Sequence, residues 1–161
     1  MKILAIDPSG SFEEGKGQTG WVVIEDNKPI TFGILKAKNY ETKYEYWEAH
    51  SDLFKTIKPD HVVMEQYRLY GSKAKSQINS EMETSKLLGY LEMSLYTLEI
   101  EHTLQSAVSA KTRFTDDILL YKGYITKDNN GRYYIHGVNV AGHIIDAMRH
   151  ALYYQLKEKR K

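Results

Sequence analysis

Two short apolar runs in this chain, Ile3 to Ile6 and Val62 to Met64, each stop at a carboxylate, Asp7 and Glu65. Runs this short, flanked by turn formers and a proline, read as buried strands and not as helices. Side chains alternate along a strand, so Asp7 shares a face with Ile3 and Ala5, and Glu65 shares one with Val63. A buried face that twice ends in an acid points to a sheet in which both strands deliver their carboxylates to one edge. Ligand sites in α/β sheets gather at the carboxyl ends of parallel strands, and this pair would lie there if the two strands are neighbours.

The rest of the chain is consistent with such a sheet. Pro8 to Gly20 is rich in Gly and Ser and cannot continue the first strand. Trp21 to Ile24 and Ile30 to Leu35 flank Asp26-Asn27-Lys28, which predicts two strands joined by a tight turn and an antiparallel meander with the first. Tyr46, Trp47, Phe54 and Ile57 recur at helical spacing over Thr42 to Ile57, and Pro59 stops the helix. A strand from His61 to Glu65, entered after that helix, is most economically parallel to the first. Ser76 to Leu98 carries Ile78, Met82, Leu88, Leu91 and Leu95 and predicts the longest helix. Ile100 to Leu104 reads as a fifth strand and Ser109 to Tyr121 as a further helix. Asp128-Asn129-Asn130-Gly131 reads as a turn between Tyr124-Ile125 and Tyr133-Tyr134-Ile135, and a last helix runs from about Val140 to Lys157. The expected architecture is therefore the ribonuclease H-like α/β fold. Its five-stranded mixed sheet has strands 1-2-3 antiparallel and strands 4 and 5 parallel to 1, flanked by helices.

With 161 residues and no shift in composition, the chain reads as one domain over residues 1–161. There is no cysteine, which excludes disulfides and thiolate metal sites, so any metal must be held by oxygen or imidazole nitrogen. The apolar start is too short for a signal peptide or a membrane span, and a cytoplasmic protein with no membrane partner is expected. The 22 basic and 21 acidic residues nearly balance, so a nucleic-acid surface would have to come from local segregation of charge. Acids crowd residues 41–52 and 81–101, whereas Arg68, Lys73, Lys75, Lys111, Arg113 and the Lys157 to Lys161 tail lie elsewhere.

On the final helix His143 and Asp146 are three apart and face the same way, so three elements converge with Asp7 and Glu65 on one point. Such a cluster repels itself unless a cation occupies it, and hard oxygen ligands favour Mg2+ or Mn2+, the imidazole tilting preference toward Mn2+. Two such ions about 4 Å apart would suit phosphodiester hydrolysis. No nucleotide cofactor is expected. His150, four residues past Asp146, is expected to support the site from outside it. Glu13 and Glu14 are read as solvated, and the Asp128 run as a hairpin turn, since it lacks the later acid of a calcium loop.

Ala5-Ile6-Asp7-Pro8 with Thr19-Gly20-Trp21, then Val63-Met64-Glu65-Gln66, then His143-Ile144-Ile145-Asp146-Ala147 resemble the RuvC-type Holliday-junction resolvases over most of the chain. The divergent loops and small size look most like the bacteriophage-encoded branch, such as lactococcal phage members. The resemblance implies a homodimer that binds four-way or related branched DNA and nicks two strands of like polarity. It implies metal-site and catalytic roles for Asp7, Glu65, His143 and Asp146, and a basic group near the scissile phosphate, for which Lys111 is preferred over Arg113 and Lys122. It also implies an aromatic after Glu-Gln that wedges into the junction, here Tyr67 or Tyr70. Phosphate contacts would come from Arg68, Lys73, Lys75, Lys111 and Arg113. The long helix is the expected dimer interface through Ile78, Met82 and Leu88. The first loop is longer than the family's usual turn, and His143 stands where many members have Asp.

Two other functions fit the same residues. One is a ribonuclease H-like nuclease acting on RNA–DNA hybrids, and the other a branched-DNA-binding protein that keeps the fold without the chemistry.

Overall fold

In the structure, a computed structural model that describes residues 1–13, 15–67 and 82–160, the two acid-ended runs are neighbouring parallel strands. β1 (Lys2–Asp7), β2 (Gln18–Glu25) and β3 (Lys28–Lys36) form the expected antiparallel meander. α1 (Lys43–Ile57) leads to β4 (His61–Glu65), and α2 (Glu83–Thr97) leads to β5 (His102–Gln105). The order across the sheet is β3-β2-β1-β4-β5, with β4 parallel to β1 and β5 parallel to β4. α1 starts where Thr42 and Glu45 form a reciprocal capping box and ends at Lys58 in a left-handed conformation, just before Pro59.

The alternation along the strands builds a separate core on each face. Leu4, Ile6, Val23, Val62 and Met64 pack against Phe54 of α1 and Leu87, Leu91 and Leu95 of α2. Ile3, Ala5, Val22, Ile24 and Val63 pack against Ile144, Ala147, Met148 and Ala151 of the last helix, α5 (Gly142–Glu158). Asp7 and Glu65 continue the second set by strand alternation, so both carboxylates leave the sheet on the α5 face.

The chain departs from expectation in several places. The second helix is described from Glu83, and the part of the expected helix before Met82 lies outside the described residues, as does Ile78. Leu88 is not free for a dimer interface, because it is buried in the core beneath α2. The single helix expected over Ser109 to Tyr121 is two, α3 (Ala107–Arg113) and α4 (Asp116–Tyr121). The break has a local cause: Phe114 leaves the helical region, and Thr115 caps α4 through its side chain, with Asp116 and Asp117 in the first turn. The Asp128 turn is present, its carboxylate accepting from the Asn130 and Arg132 amides, but the strands around it form a separate sheet. That sheet comprises β6 (Thr126–Lys127), β7 (Tyr133–Ile135) and β8 (Val138–Asn139). β8 gives no alternation signal because it is two residues long.

Two further features fix the edge of the sheet where Asp7 lies. Gly20 pairs with Asp7 across β1 and β2, and a Cβ at Gly20 would overlap the His143 backbone. The missing side chain is what lets the start of α5 lie directly on β2. On the opposite face Thr19 is fully buried, and its hydroxyl meets His50 Nε2 at 2.9 Å and the Tyr46 hydroxyl at 3.0 Å. His50 Nδ1–H donates to the Tyr46 carbonyl at 2.7 Å, so Nε2 is left to accept from Thr19.

A methyl group at Gly20 is expected to force α5 off the sheet, so Gly20→Ala should cost about 1–3 kcal/mol in urea unfolding. Gly89 is the control: it is exposed inside α2 with open space around it, and Gly89→Ala should stabilise by about 0.5–1 kcal/mol. Equal effects of the two substitutions would contradict the close approach at Gly20.

Burial pushes His50 down to about 4, against the weaker opposing effect of its hydrogen bond to Tyr46, while Tyr46, pushed up to about 12 by its own burial, stays a phenol. The unfolded chain takes up a proton at His50 near its ordinary value of 6.5, so His50 contributes stability in full above that pH. The contribution is lost as the pH falls from 6.5 toward 4, amounting to about 3 kcal/mol across the window. Urea unfolding of His50→Gln at pH 7.5 and pH 5 should therefore show a smaller acid loss than the unsubstituted protein; an unchanged loss would contradict the buried neutral imidazole.

Candidate active site

The pairing of β1 with β4 sets Ile6 beside Met64, so the residues that follow, Asp7 and Glu65, emerge side by side. α5 crosses this edge with its first turns. His143 Nδ1–H donates to Asp7 Oδ2 at 2.8 Å. One helical turn on, Asp146 Oδ2 receives the Lys111 ammonium of α3 at 3.0 Å, and its Oδ1 receives the Arg149 guanidinium. His150, wholly buried, places Nε2 3.1 Å from Glu65 Oε2 and Nδ1 3.1 Å from Gln105 Oε1. Gln105 is the residue opposite Glu65 in the β4–β5 register.

The electrostatics show how closely these groups lie. Burial raises the Asp7 carboxyl above the ordinary range, and the charges of Glu65 and Asp146 raise it further, while the His143 hydrogen bond pulls the other way. The His143 imidazole is raised by its bond to Asp7, against its partial burial, with the Asp7 and Asp146 charges adding to the rise. For Lys111 burial works against the charged form, but the Asp146 hydrogen bond and the charges of Asp146, Glu65 and Asp7 outweigh it and raise the ammonium. Burial leads the Asp7 shift, whereas His143 and Lys111 are held in their charged forms by the acids beside them.

The site therefore contains the four expected ligands and Lys111. Each carboxylate faces a cationic or imidazole partner: Asp7 faces His143, Glu65 faces His150, and Asp146 faces Lys111 and Arg149. Among the described residues no three His, Asp or Glu side chains already stand in a coordinating cage. In kind, however, the donor set suits a hard divalent cation, with three carboxylates and one imidazole gathered at the sheet edge where Asp7 is buried beside two other acids. A dication would replace the protons and ammonium groups that now balance the charge.

Other expected site residues fall elsewhere. Arg113, two residues past Lys111, turns to a hollow lined by Phe114, Ile118, Lys122 and Lys159. Tyr67 is half-buried against the core beneath α1 and α2. Arg68, Tyr70, Lys73 and Lys75 lie outside the described residues.

Three participants were missed from the sequence. Gln105 ends β5 level with Glu65, so the strand-end rule that found Glu65 would also have found it. Arg149 lies one turn beyond Asp146, a spacing that signals contact on a helix. Its Nε–H also donates to the Phe114 carbonyl at 2.9 Å, and its guanidinium reaches Asp116, whose other oxygen accepts from the Tyr133 hydroxyl at 2.5 Å. This ties Asp146 to the α3–α4 break and the small sheet. The role of Asp116 has no sequence signal, because its partner is far along the chain.

No protein-family model and no curated protein matches the chain. Solved structures do match. T. thermophilus RuvC in complex with Holliday junction substrate superposes with a TM-score of 0.71 at 15% identity, over 99% of this chain and 96% of that one. The Thermus thermophilus RuvC structure matches with a TM-score of 0.67 at 14% identity, over 99% and 96% of the two chains. The Fowlpox virus resolvase, solved with substrate Holliday junction DNA, matches with a TM-score of 0.58 at 12% identity, over 99% and 97%. The chain thus has the ribonuclease H-like fold of RuvC along its whole length.

Proposed function

We propose that this chain is a divalent-metal-dependent endonuclease that resolves four-way junctions or related branched DNA by paired phosphodiester hydrolysis, working as a homodimer. The observation that carries the reading is the convergence of Asp7, Glu65, His143 and Asp146, with Lys111, at one sheet edge. The fold in which they converge is shared with resolvases solved on Holliday junctions.

In this reading Asp7, Glu65, His143 and Asp146 hold Mg2+ or Mn2+, two ions in the fullest form. A metal held there would supply activation of water and stabilisation of charge at the leaving oxygen. The chain's own groups do the rest. His150 and Gln105 hold the Glu65 carboxylate in one orientation, as supporting groups do behind a ligand. Arg149 anchors one Asp146 oxygen from inside the protein. Lys111, half-exposed on the other side of Asp146, stands where its ammonium can move to a phosphate oxygen and stabilise negative charge growing there. A four-way junction has approximate two-fold symmetry, and a two-fold dimer presents two such sites to it, which is the argument for a homodimer. Arg68, Lys73, Lys75 and Arg113 are the proposed phosphate contacts and Tyr67 or Tyr70 the proposed stacking residue, so binding should weaken steeply with salt.

Labelled junction, flap, RNA–DNA hybrid and duplex substrates, each with and without Mn2+, test the reading. The junction is expected to be nicked only with metal. Asp7→Asn should keep junction affinity within about threefold while losing cleavage by more than about a hundredfold. Preferential cutting of the hybrid would replace this reading with a ribonuclease, and junction binding without nicking at any metal concentration would replace it with a non-catalytic binder.

A further inference from the structure

The loop that follows Asp7 is held by side chains from three other elements. Thr19 Oγ1 of β2 accepts from the Ser9 amide at 3.1 Å, and the Tyr46 hydroxyl of α1 donates to the Ser9 carbonyl at 2.8 Å. The first turn of α2 contributes most. Thr84 Oγ1 accepts from the Gly10 amide at 3.1 Å, and Glu83 Oε1 accepts from the Glu13 amide at 3.1 Å and, at 3.2 Å, shares the Phe12 amide with the Gly10 carbonyl, which lies at 2.6 Å. The approach is close enough that a Cβ on Gly10 would overlap the Glu83 carbonyl group and the Thr84 nitrogen.

Two features of α2 accompany this contact. Met82, which precedes the helix, is left-handed with φ 49°, a conformation that a residue with a side chain rarely adopts unless its surroundings impose it. Among the described residues the helix also has no side-chain cap. Glu83 could serve the free amides of its own first turn, yet its carboxylate is turned across to the loop.

We propose that Glu83 and Thr84 are positioning residues that latch the Ser9 to Glu13 loop and so fix the orientation of the Asp7 carboxylate among the proposed metal ligands. The inference rests on the nuclease reading of the site and adds to it a structural element that no strand-end carboxylate supplies. Asp7 is one proline away from the latched segment, and Pro8 removes a rotatable φ between them, so the constraint passes to the carboxylate with little slack. A carboxylate misplaced by about 1 Å lowers turnover about a hundredfold without weakening binding of a large substrate held elsewhere.

Amide hydrogen exchange and junction cleavage, measured together on Glu83→Ala, Glu83→Gln, Thr84→Val and Gly10→Ala, test the latch. Protection of the Ala5 and Val63 amides serves as the check that the sheet is intact. In Glu83→Ala the Glu13 amide is expected to exchange at least about tenfold faster, while the Phe12 amide keeps its bond to the Gly10 carbonyl. Single-turnover cleavage should fall at least about tenfold while junction Kd stays within about threefold. Glu83→Gln keeps an acceptor oxygen and should restore most of both. Thr84→Val should free the Gly10 amide, and Gly10→Ala should open the latch from the loop side, so the test survives if one variant fails to fold. Unchanged exchange at Glu13 in Glu83→Ala would overturn the proposal, as would faster exchange with undiminished cleavage. Unsubstituted protein inert toward every branched substrate would overturn the nuclease reading instead. Even then, faster exchange in Glu83→Ala than in Glu83→Gln would uphold the latch, and equal exchange would refute it.

Discussion

The parallel pairing of β1 and β4 sets two carboxylates next to each other at the edge of a buried sheet, and most of the surrounding structure answers that repulsion. Asp7 is both buried and crowded by Glu65 and Asp146, so its carboxyl is raised. The protein compensates with His143, Lys111, Arg149 and His150, each bound to one of the three acids. Compensation of this kind adds little net stability. The like charges of the cluster are balanced by half-exposed partners on one side and buried ones on the other.

The buried and exposed partners divide cleanly. Arg149 and His150 are enclosed and reach back to the Phe114 carbonyl, Asp116 and Gln105, so they orient the acids from behind. His143 and Lys111 are near half-exposed and lie on the open side. The same α5 supplies members of both groups because its inward and outward faces alternate with the helical period. Gly20 makes the arrangement possible by letting the helix backbone touch β2, which brings the first turn of α5 within hydrogen-bonding reach of Asp7.

Much of this was legible in the sequence. The apolar runs ending in Asp7 and Glu65, the Asp26-Asn27-Lys28 turn and the helical spacing of α1 and α5 are local signals strong enough to give the strand order and the face on which the acids emerge. His143 and Asp146 followed from helical spacing alone. What escaped depends on contacts made far along the chain. The split at Phe114 is held by an arginine 35 positions away, and the helical pattern on either side of it gives no warning. Leu88 looked free for a partner because spacing alone cannot separate a core stripe from an interface stripe. The Glu83–Phe12 contact joins loop to helix across 71 positions of sequence, and nothing local distinguishes that glutamate from an ordinary first-turn acid.

The central claim is that Asp7, Glu65, His143 and Asp146 share one cation site, and Mn2+ binding followed by electron paramagnetic resonance on the protein without DNA tests it most directly. The account predicts saturable binding that is weakened at least about tenfold by each of Asp7→Asn, Glu65→Gln and Asp146→Asn in a folded protein. Binding that is absent, or that is indifferent to all three substitutions, would contradict it.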